Sequence, residues 1–253
     1  MTRFARNILI LAYHSIHPSF GGPLSITPEG FDDQMAILKG LGYTTLTVWQ
    51  YFSEFFSQGN WRPPKRLVIT FDDGYLDTWE HALPVLQKHG FTATVFVTTG
   101  YIGTGRRFPW QERVTGNDVR CLSWQETAQL LALGWEIGSH TVTHPLLTTL
   151  SEKDAWREIE DSKKQLEQQF GVPVRSFCYP SGNWNERVRG LVERAGYKAA
   201  VVTPSEAGTL SGPFSLKRVG IYDLNSPRTF RLKISPRFHF VRELGLLRLK
   251  KWL

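Results

Sequence analysis

The sequence predicts a single-domain α/β protein built around a parallel barrel. Seven short apolar runs alternate with segments of helical periodicity, which is the pattern of strand–helix units in a parallel sheet. The chain has 253 residues and no low-complexity linker divides it. One α/β barrel commonly needs about 250 residues. A closed or nearly closed barrel is favoured, and a doubly wound open sheet is the alternative.

Each predicted strand is a short apolar run of the kind that is buried on both faces. The runs are Ile8–Tyr13, Leu67–Phe71, Thr94–Val97, Glu136–Ser139, Arg175–Tyr179, Ala199–Thr203 and Leu216–Ile221, with a possible eighth at Thr44–Val48. None is long enough to span a membrane, and the apolar residues Ile8–Ala12 are too few for the core of a signal peptide. We therefore expect a cytoplasmic protein without a cleavable signal peptide.

Helical patterns lie between the runs. Ser123 and Glu126 form a capping-box pattern, which typically marks the start of a helix. The predicted helices are Phe31–Leu41, Thr78–His89, Ser123–Leu133, Ser151–Phe170 and Asn185–Ala195. The stretch Gly100–Arg120 is rich in glycine and arginine, and we interpret it as a long loop over a site.

The net charge of +7 comes entirely from the tail of the chain, where eight basic residues face one acidic residue from Arg228 onward. We therefore divide the chain into a barrel, residues 1–227, and a basic tail, residues 228–253, and expect no nucleic-acid binding. Phe240, Leu244 and Leu247 would share one face of a helix in this tail. Such a helix either packs on the barrel or lies on the inner face of an anionic membrane.

Two adjacent aspartates, Asp72 and Asp73, end the second run and precede a glycine. Neighbouring like charges cost free energy unless a cation lies beside them. A metal ion on one carboxylate, and a proton or an arginine on the other, would remove this cost. A solvated Asp-Asp-Gly turn is the alternative.

Two histidines, His140 and His144, follow the fourth run. On a helical turn, positions i and i+4 face the same way, which suits two imidazoles on one metal ion. Reactive groups cluster at the carboxyl ends of strands in parallel barrels, where these histidines and the aspartates would meet. One aspartate and two histidines leave a coordination position open for water, as in catalytic metal sites.

Three further groups stand at the ends of predicted strands. Arg175 could pair with a carboxylate, and the turn after Tyr179 could direct backbone N–H groups into the site. His14 closes the first run. A histidine in this position is more often structural than catalytic.

The ordered motifs TFDDGY (70–75), SHTVTH (139–144) and RSFCYPSG (175–182) resemble those of the polysaccharide deacetylase family, also called carbohydrate esterase family 4 or the NodB-homology domain. The resemblance runs from Leu67 to Ile221. It implies a distorted (β/α)7 barrel and metal-dependent hydrolysis of acetyl groups on N-acetylated sugars of a polysaccharide or glycoconjugate.

The resemblance also implies a role for each matching residue. Asp72 corresponds to the general base, and Arg175 to the arginine that orients it. The backbone N–H of Tyr179 corresponds to an oxyanion donor. The implied metal ligands are Asp73, His140 and His144. Zn²⁺ is the expected ion, and Co²⁺, Ni²⁺ or Fe²⁺ also suit such a ligand set.

The chain departs from the family in one motif. A late Leu-x-His motif usually supplies the general acid, but Leu216–Tyr222 contains no histidine. The long segment before TFDDGY is similar to that of the circularly permuted poly-N-acetylglucosamine deacetylases, in which an N-terminal histidine is the acid. We therefore expect a permuted barrel with His14 as the acid. A degenerate carbohydrate-binding protein and a C–N hydrolase for a non-sugar amide are the alternatives.

Overall fold

The computed structural model describes residues 8–19, 22, 24–56, 65–110, 119–203, 212–222 and 226–235. Within these ranges nine strands form one parallel sheet, and two short strands, β2 and β3, pair separately. The strands are β1 (Leu9–Tyr13), β2 (Ser15–Ile16), β3 (Ser25–Ile26), β4 (Thr44–Leu46), β5 (Arg66–Phe71), β6 (Thr94–Val97), β7 (Glu136–Ser139), β8 (Ser176–Cys178), β9 (Ala199–Val202), β10 (Leu216–Lys217) and β11 (Val219–Gly220).

The sheet curves back onto itself through its last run. Its order is β10-β9-β8-β7-β6-β5-β1-β11, and β4 pairs with the start of β5. Only Arg218 separates β10 from β11. Leu216 and Lys217 pair with β9, whereas Val219 and Gly220 pair with β1. If β10 and β11 are counted as one strand and β4 is left aside, seven parallel strands form a nearly closed barrel. This confirms the predicted fold class.

The alternation of side chains along each strand separates the interior of the barrel from its outer layer. Apolar side chains of one parity fill the interior: Ile10, Val68, Phe96, Cys178, Val201 and Leu216. Side chains of the opposite parity pack under the helices: Leu11, Ile69, Val95, Ile137, Phe177 and Ala200. Residues two positions beyond the interior set therefore face the mouth of the barrel at its carboxyl end.

Six α-helices of the described residues lie between the strands, five of them as predicted, and a seventh follows β11. Their bounds are α1 (Pro28–Gly40), α2 (Val48–Tyr51), α3 (Leu83–His89), α4 (Trp124–Ala132), α5 (Glu152–Phe170), α6 (Glu186–Arg194) and α7 (Pro227–Lys233). The first turn of the predicted helix Thr78–His89 is π-helical, over Thr78–Ala82. The capping box of Ser123 and Glu126 is present at the start of α4, because each side chain bonds the backbone N–H of the other residue.

Helix α2 closes the amino end of the barrel. Val48 and Tyr51 pack with the interior side chains. The backbone N–H of Trp49 donates to the carboxylate of Glu136, at the start of β7, at 2.8 Å. Because this end is filled, the carboxyl end is the place where a ligand reaches the barrel.

The beginning of the basic tail belongs to the outer layer. Helix α7 buries Phe230 in the main core beside α1. No helix in the described ranges is long and apolar enough to cross a membrane. Phe240, Leu244 and Leu247 lie outside the described residues, so contact of the tail with a membrane stays a prediction.

Candidate active site

The two aspartates diverge at the carboxyl end of β5. Asp73 and Gly74 both have left-handed backbones, with φ of 71° and 74°. A left-handed backbone is uncommon for a residue with a side chain, and such strain concentrates at functional sites. The turn directs Asp72 toward Arg218 and Asp73 toward His140 and His144.

Arg218 holds the carboxylate of Asp72 with two hydrogen bonds. Its Nη1 donates to Oδ1 at 2.7 Å, and its Nη2 donates to Oδ2 at 2.6 Å. Both side chains are buried. Burial acts to raise the pKa of Asp72, but the charge and hydrogen bonds of Arg218 outweigh it and leave that pKa well below its usual range. Asp72 is therefore ionised at neutral pH, which is the form that a general base requires.

Arg175 does not hold the base, and this corrects the sequence-based expectation. It precedes β8, so it lies at the amino end of the barrel, whereas Asp72 follows β5 at the carboxyl end. Its guanidinium stacks on the ring of Trp49 in the closing helix α2, 4.5 Å from the ring centroid. Arg218 takes the place that we expected for Arg175.

Asp73, His140 and His144 form a compact set of ligand atoms. The Nε2 atoms of both histidines lie 3.5 Å from Oδ1 of Asp73. This buried oxygen has no hydrogen-bond partner in the described structure. Nδ1 of His140 lies 2.8 Å from the carbonyl oxygen of Cys178 and donates to it. That bond leaves Nε2 of His140 with a free lone pair, as in metal-binding histidines.

The protonation of these three groups fits a divalent cation. Burial, and then the charge of Asp72, raises the pKa of Asp73 to about 8. Burial lowers the pKa of His144 to about 2 and also lowers that of His140. A cation among them would stabilise the carboxylate and bind the neutral imidazoles. One oxygen and two nitrogen ligands suit Zn²⁺, Co²⁺, Ni²⁺ or Fe²⁺.

A second group of three close ligand atoms comes from Asp72, His140 and Cys178. This group fits a metal ion less well, because Arg218 engages both oxygens of Asp72. A metal ion there would face the guanidinium at short range.

The two histidines do not meet on a helical turn as the sequence suggested. The segment between them is a loop with two left-handed residues, Thr141 with φ of 70° and His144 with φ of 62°. The backbone N–H of His144 donates to Oγ1 of Thr141 at 2.9 Å. This turn brings the imidazole rings to a centroid distance of 4.6 Å.

His14 stands beside Asp72. Strands β1 and β5 pair with Tyr13 opposite Phe71, so the next residues, His14 and Asp72, emerge together at the barrel mouth. Nε2 of His14 lies 3.9 Å from Oδ2 of Asp72. Burial lowers the pKa of His14 to about 4, although the charge of Asp72 acts in the opposite direction.

The turn after β8 presents a different backbone amide from the one expected. The N–H of Tyr179 donates to the carbonyl oxygen of Val201 at 3.3 Å in the sheet, which corrects its assignment as the oxyanion donor. The amides of Gly182 and Asn183 are bonded within the turn. Ser181, with φ of 54°, has an N–H that donates to no acceptor among the described residues.

The sequence matches a known protein family over more than half of its length. The family model for polysaccharide deacetylases matches residues 59–200. The chain belongs to the polysaccharide deacetylase family. It is therefore an enzyme of the hydrolase class, and Asp72, Asp73, His140 and His144 all lie inside the matched region.

Several relatives share most of the chain. A Bacillus subtilis protein named for this family, YxkH, is 33% identical over 213 residues, covering 84% of this chain and 70% of its own. The poly-β-1,6-N-acetyl-D-glucosamine N-deacetylase of Staphylococcus aureus is 26% identical and covers 79% and 68%. The Streptococcus pyogenes deacetylase PplD, solved with acetate, has a TM-score of 0.76 and 28% identity, and the match covers 90% of this chain and 98% of PplD.

An aromatic wall borders the ligand set of this deacetylase-family site. The ring of Trp110 lies 4.4 Å from that of His144, and Phe108 stacks on Trp110 at 4.6 Å. Nε1 of Trp110 donates to the hydroxyl of Tyr75 at 3.2 Å. Residues from the predicted loop Gly100–Arg120 thus lie over the site, although residues 111–118 are outside the described ranges.

Sequence reasoning missed Arg218 and Ser181. A signal for Arg218 was available, because it is a charged residue at an inward position within an apolar run that otherwise builds a strand. Ser181 carries no such signal. What distinguishes Ser181 is its unbonded backbone N–H, and nearly every residue type has such a group, so its identity in the sequence gives no indication of it.

The Arg218–Asp72 pair gives a test of stability. Arg218→Met should lower the free energy of unfolding by about 3–5 kcal/mol at neutral pH, because it leaves a buried carboxylate without its cation. The matched change Arg175→Met, which removes a cation–π contact, should cost about 1 kcal/mol or less. Urea unfolding of both variants measures the difference.

The pH dependence of this cost has a defined sign. Since the folded protein depresses the pKa of Asp72, the stabilisation is present above the unfolded pKa of about 3.9 and disappears as the pH falls through the folded value. The gap between the wild type and Arg218→Met should therefore shrink as the pH falls, beginning where the buried, unpaired carboxylate of the variant takes up a proton and ending near the folded pKa of Asp72 in the wild type. A gap that is equal for both arginine variants, or constant with pH, would contradict the assignment.

Proposed function

We propose that this enzyme removes acetyl groups from N-acetylated sugars of a polysaccharide or glycoconjugate, using a divalent cation held by Asp73, His140 and His144. One observation carries the proposal. A buried, unpartnered oxygen of Asp73 faces both imidazoles beside a second aspartate that Arg218 keeps ionised. The named substrate of the Staphylococcus aureus relative supports an N-acetylated glycan.

Asp73, His140 and His144 would hold the cation that supplies the Lewis acid. When bound, a divalent cation would polarise the acetyl carbonyl and lower the pKa of a water molecule at the open position. Zn²⁺ is the ion that we propose. Asp72 accepts the proton from that attacking water, because Arg218 holds its carboxylate in place and ionised.

The developing oxyanion needs a second donor besides the cation. We assign this role to the backbone N–H of Ser181, since the N–H of Tyr179 is used in the sheet. A fixed amide that bonds charge only as it develops stabilises the transition state more than the ground state. This amide donates to no acceptor among the described residues.

His14 is proposed to protonate the leaving sugar amine. Its lowered pKa, about 4, means that the imidazole is neutral at neutral pH before the reaction. We infer that the proton taken from water by Asp72 passes to His14 across the 3.9 Å gap and then to the amine nitrogen. One C–O bond forms, the C–N bond breaks, and acetate and a free amine are the products.

Acetate release tests the proposed reaction. The purified chain with one equivalent of Zn²⁺ or Co²⁺ should release acetate from N-acetylglucosamine oligomers, and excess chelator should stop it. Asp72→Asn should lower kcat by at least about 100-fold, since it removes the general base. Asp154→Asn, an exposed change on α5, is the matched control and should have no effect.

An N-acetylated amino acid serves as the non-sugar amide in the same assay. Faster release from this compound than from the oligomers would favour the alternative C–N hydrolase. Sugar binding without any acetate release would favour the degenerate binding protein.

The acid role of His14 has a separate test. His14→Gln should lower kcat roughly 10²–10⁴-fold while the zinc content stays at one ion per chain. The control is His17→Gln, because His17 packs against His81 rather than against the base. An unchanged kcat in His14→Gln would remove His14 from the mechanism.

A further inference from the structure

The loop between the two histidine ligands depends on an unfavourable backbone. Thr141 and His144 are both left-handed, a conformation that costs free energy for residues with a side chain. His144 sits at the end of this loop and is less deeply fixed than His140, which bonds the carbonyl oxygen of Cys178. Contacts to the loop must therefore hold the imidazole of His144 in place.

One side of the loop is fixed by the segment after β6. The N–H of Thr99 donates to the carbonyl oxygen of Thr141 at 3.1 Å, and the N–H of Gly100 donates to that of Val142 at 2.8 Å. A Cβ at Gly100 would lie only 2.6 Å from the oxygen of Val142. This close approach satisfies the carbonyl groups of the loop but leaves its N–H groups to other acceptors.

The opposite side of the loop is held by one carboxylate, that of Glu158 in α5. Its Oε2 accepts from the N–H of Val142 at 2.9 Å and from the N–H of Thr143 at 2.8 Å. Its Oε1 accepts from Oγ1 of Thr143 at 2.7 Å. Two successive amides after a left-handed residue form a concave anion site, and here the anion is a side chain of the protein.

Helix α5 holds this carboxylate rigidly. Ala155 and Ile159, which flank Glu158, are fully buried against the barrel. Ser162, one turn further on, bonds the hydroxyl of Ser139 at 2.7 Å, directly before His140. The helix therefore contacts the metal-ligand motif at both of its ends.

We propose that Glu158 is a positioning residue that sets the orientation of His144 and thereby the affinity of the site for its cation. The proposal rests on the proposed metal-dependent function. Without the carboxylate, the amides of Val142 and Thr143 lose their acceptor, and the strained backbone at His144 can relax. Changes in groups that orient metal ligands typically weaken metal binding 10–100-fold.

Metal affinity of the full chain tests this role. Zn²⁺ binding is measured by competition with a chromophoric chelator for the wild type, Glu158→Gln and Glu158→Ala. We expect affinity to fall roughly 10-fold in the isosteric Gln variant and up to about 100-fold in the Ala variant. The matched control is Glu160→Gln, because Glu160 lies on the same helix and pairs only with Lys164 in the described structure.

Two further readouts separate positioning from general stability. The visible spectrum of bound Co²⁺ should change in the Glu158 variants, because the geometry of His144 changes. A merely structural role would lower the melting temperature of the metal-free protein but leave both affinity and spectrum unchanged, and this result would overturn the proposal. Thr143→Val removes one bond to Glu158 and serves as a milder variant if Glu158→Ala does not fold.

The failure of this proposal can be told apart from failure of the proposed function. If the wild type binds Zn²⁺ tightly and all Glu158 and Thr143 variants bind it equally well, the positioning role is wrong and the function stands. If the wild type itself binds no divalent cation, the proposed function fails and the role of Glu158 fails with it.

Discussion

The buried ion pair between Arg218 and Asp72 connects the fold of this protein to its chemistry. Arg218 stands between β10 and β11, at the residue where the last run changes its pairing from β9 to β1. Inside the barrel it also donates to the hydroxyls of Thr70 and Thr203, at 3.0 and 2.9 Å. One cation thus joins both edges of the barrel and keeps Asp72 ionised. A buried pair of this kind is costly to break from one side, because the remaining charge cannot be solvated.

The same pair explains how two adjacent aspartates coexist in a buried site. Arg218 neutralises Asp72, so the remaining negative charge of the motif belongs to Asp73, whose pKa rises when no cation is present. A divalent ion between Asp73 and the two histidines would remove this second cost. The left-handed backbone at Asp73 keeps the two carboxylates apart, which suits Asp72 to the proposed role of base and Asp73 to that of metal ligand.

Much of this arrangement could be predicted from the sequence, because strand ends in a parallel barrel converge. Six of the seven predicted runs form one strand each, and the seventh forms both β10 and β11. The residues that lie together at one end of the barrel are Asp72, Asp73, His140, His144 and His14. The predicted role of Arg175 was wrong for the same reason, because Arg175 precedes its strand and therefore lies at the opposite end of the barrel.

Two predictions about turns were also wrong: the oxyanion role of the Tyr179 N–H, and the helical turn between the two histidines. The direction of the backbone in a turn has no simple sequence signature. Glu158 acts across a long separation on a loop amide, which no local pattern reveals.

The proposed chemistry of this site depends on where a divalent cation binds. Anomalous X-ray diffraction at the zinc edge, from crystals of the chain loaded with one equivalent of Zn²⁺, locates the ion. We expect a single ion bonded to Asp73 and to Nε2 of His140 and His144, with the bidentate bond between Arg218 and Asp72 intact. An ion bonded to Asp72 and Cys178 instead, or no ion among these residues, would contradict the proposed metal site.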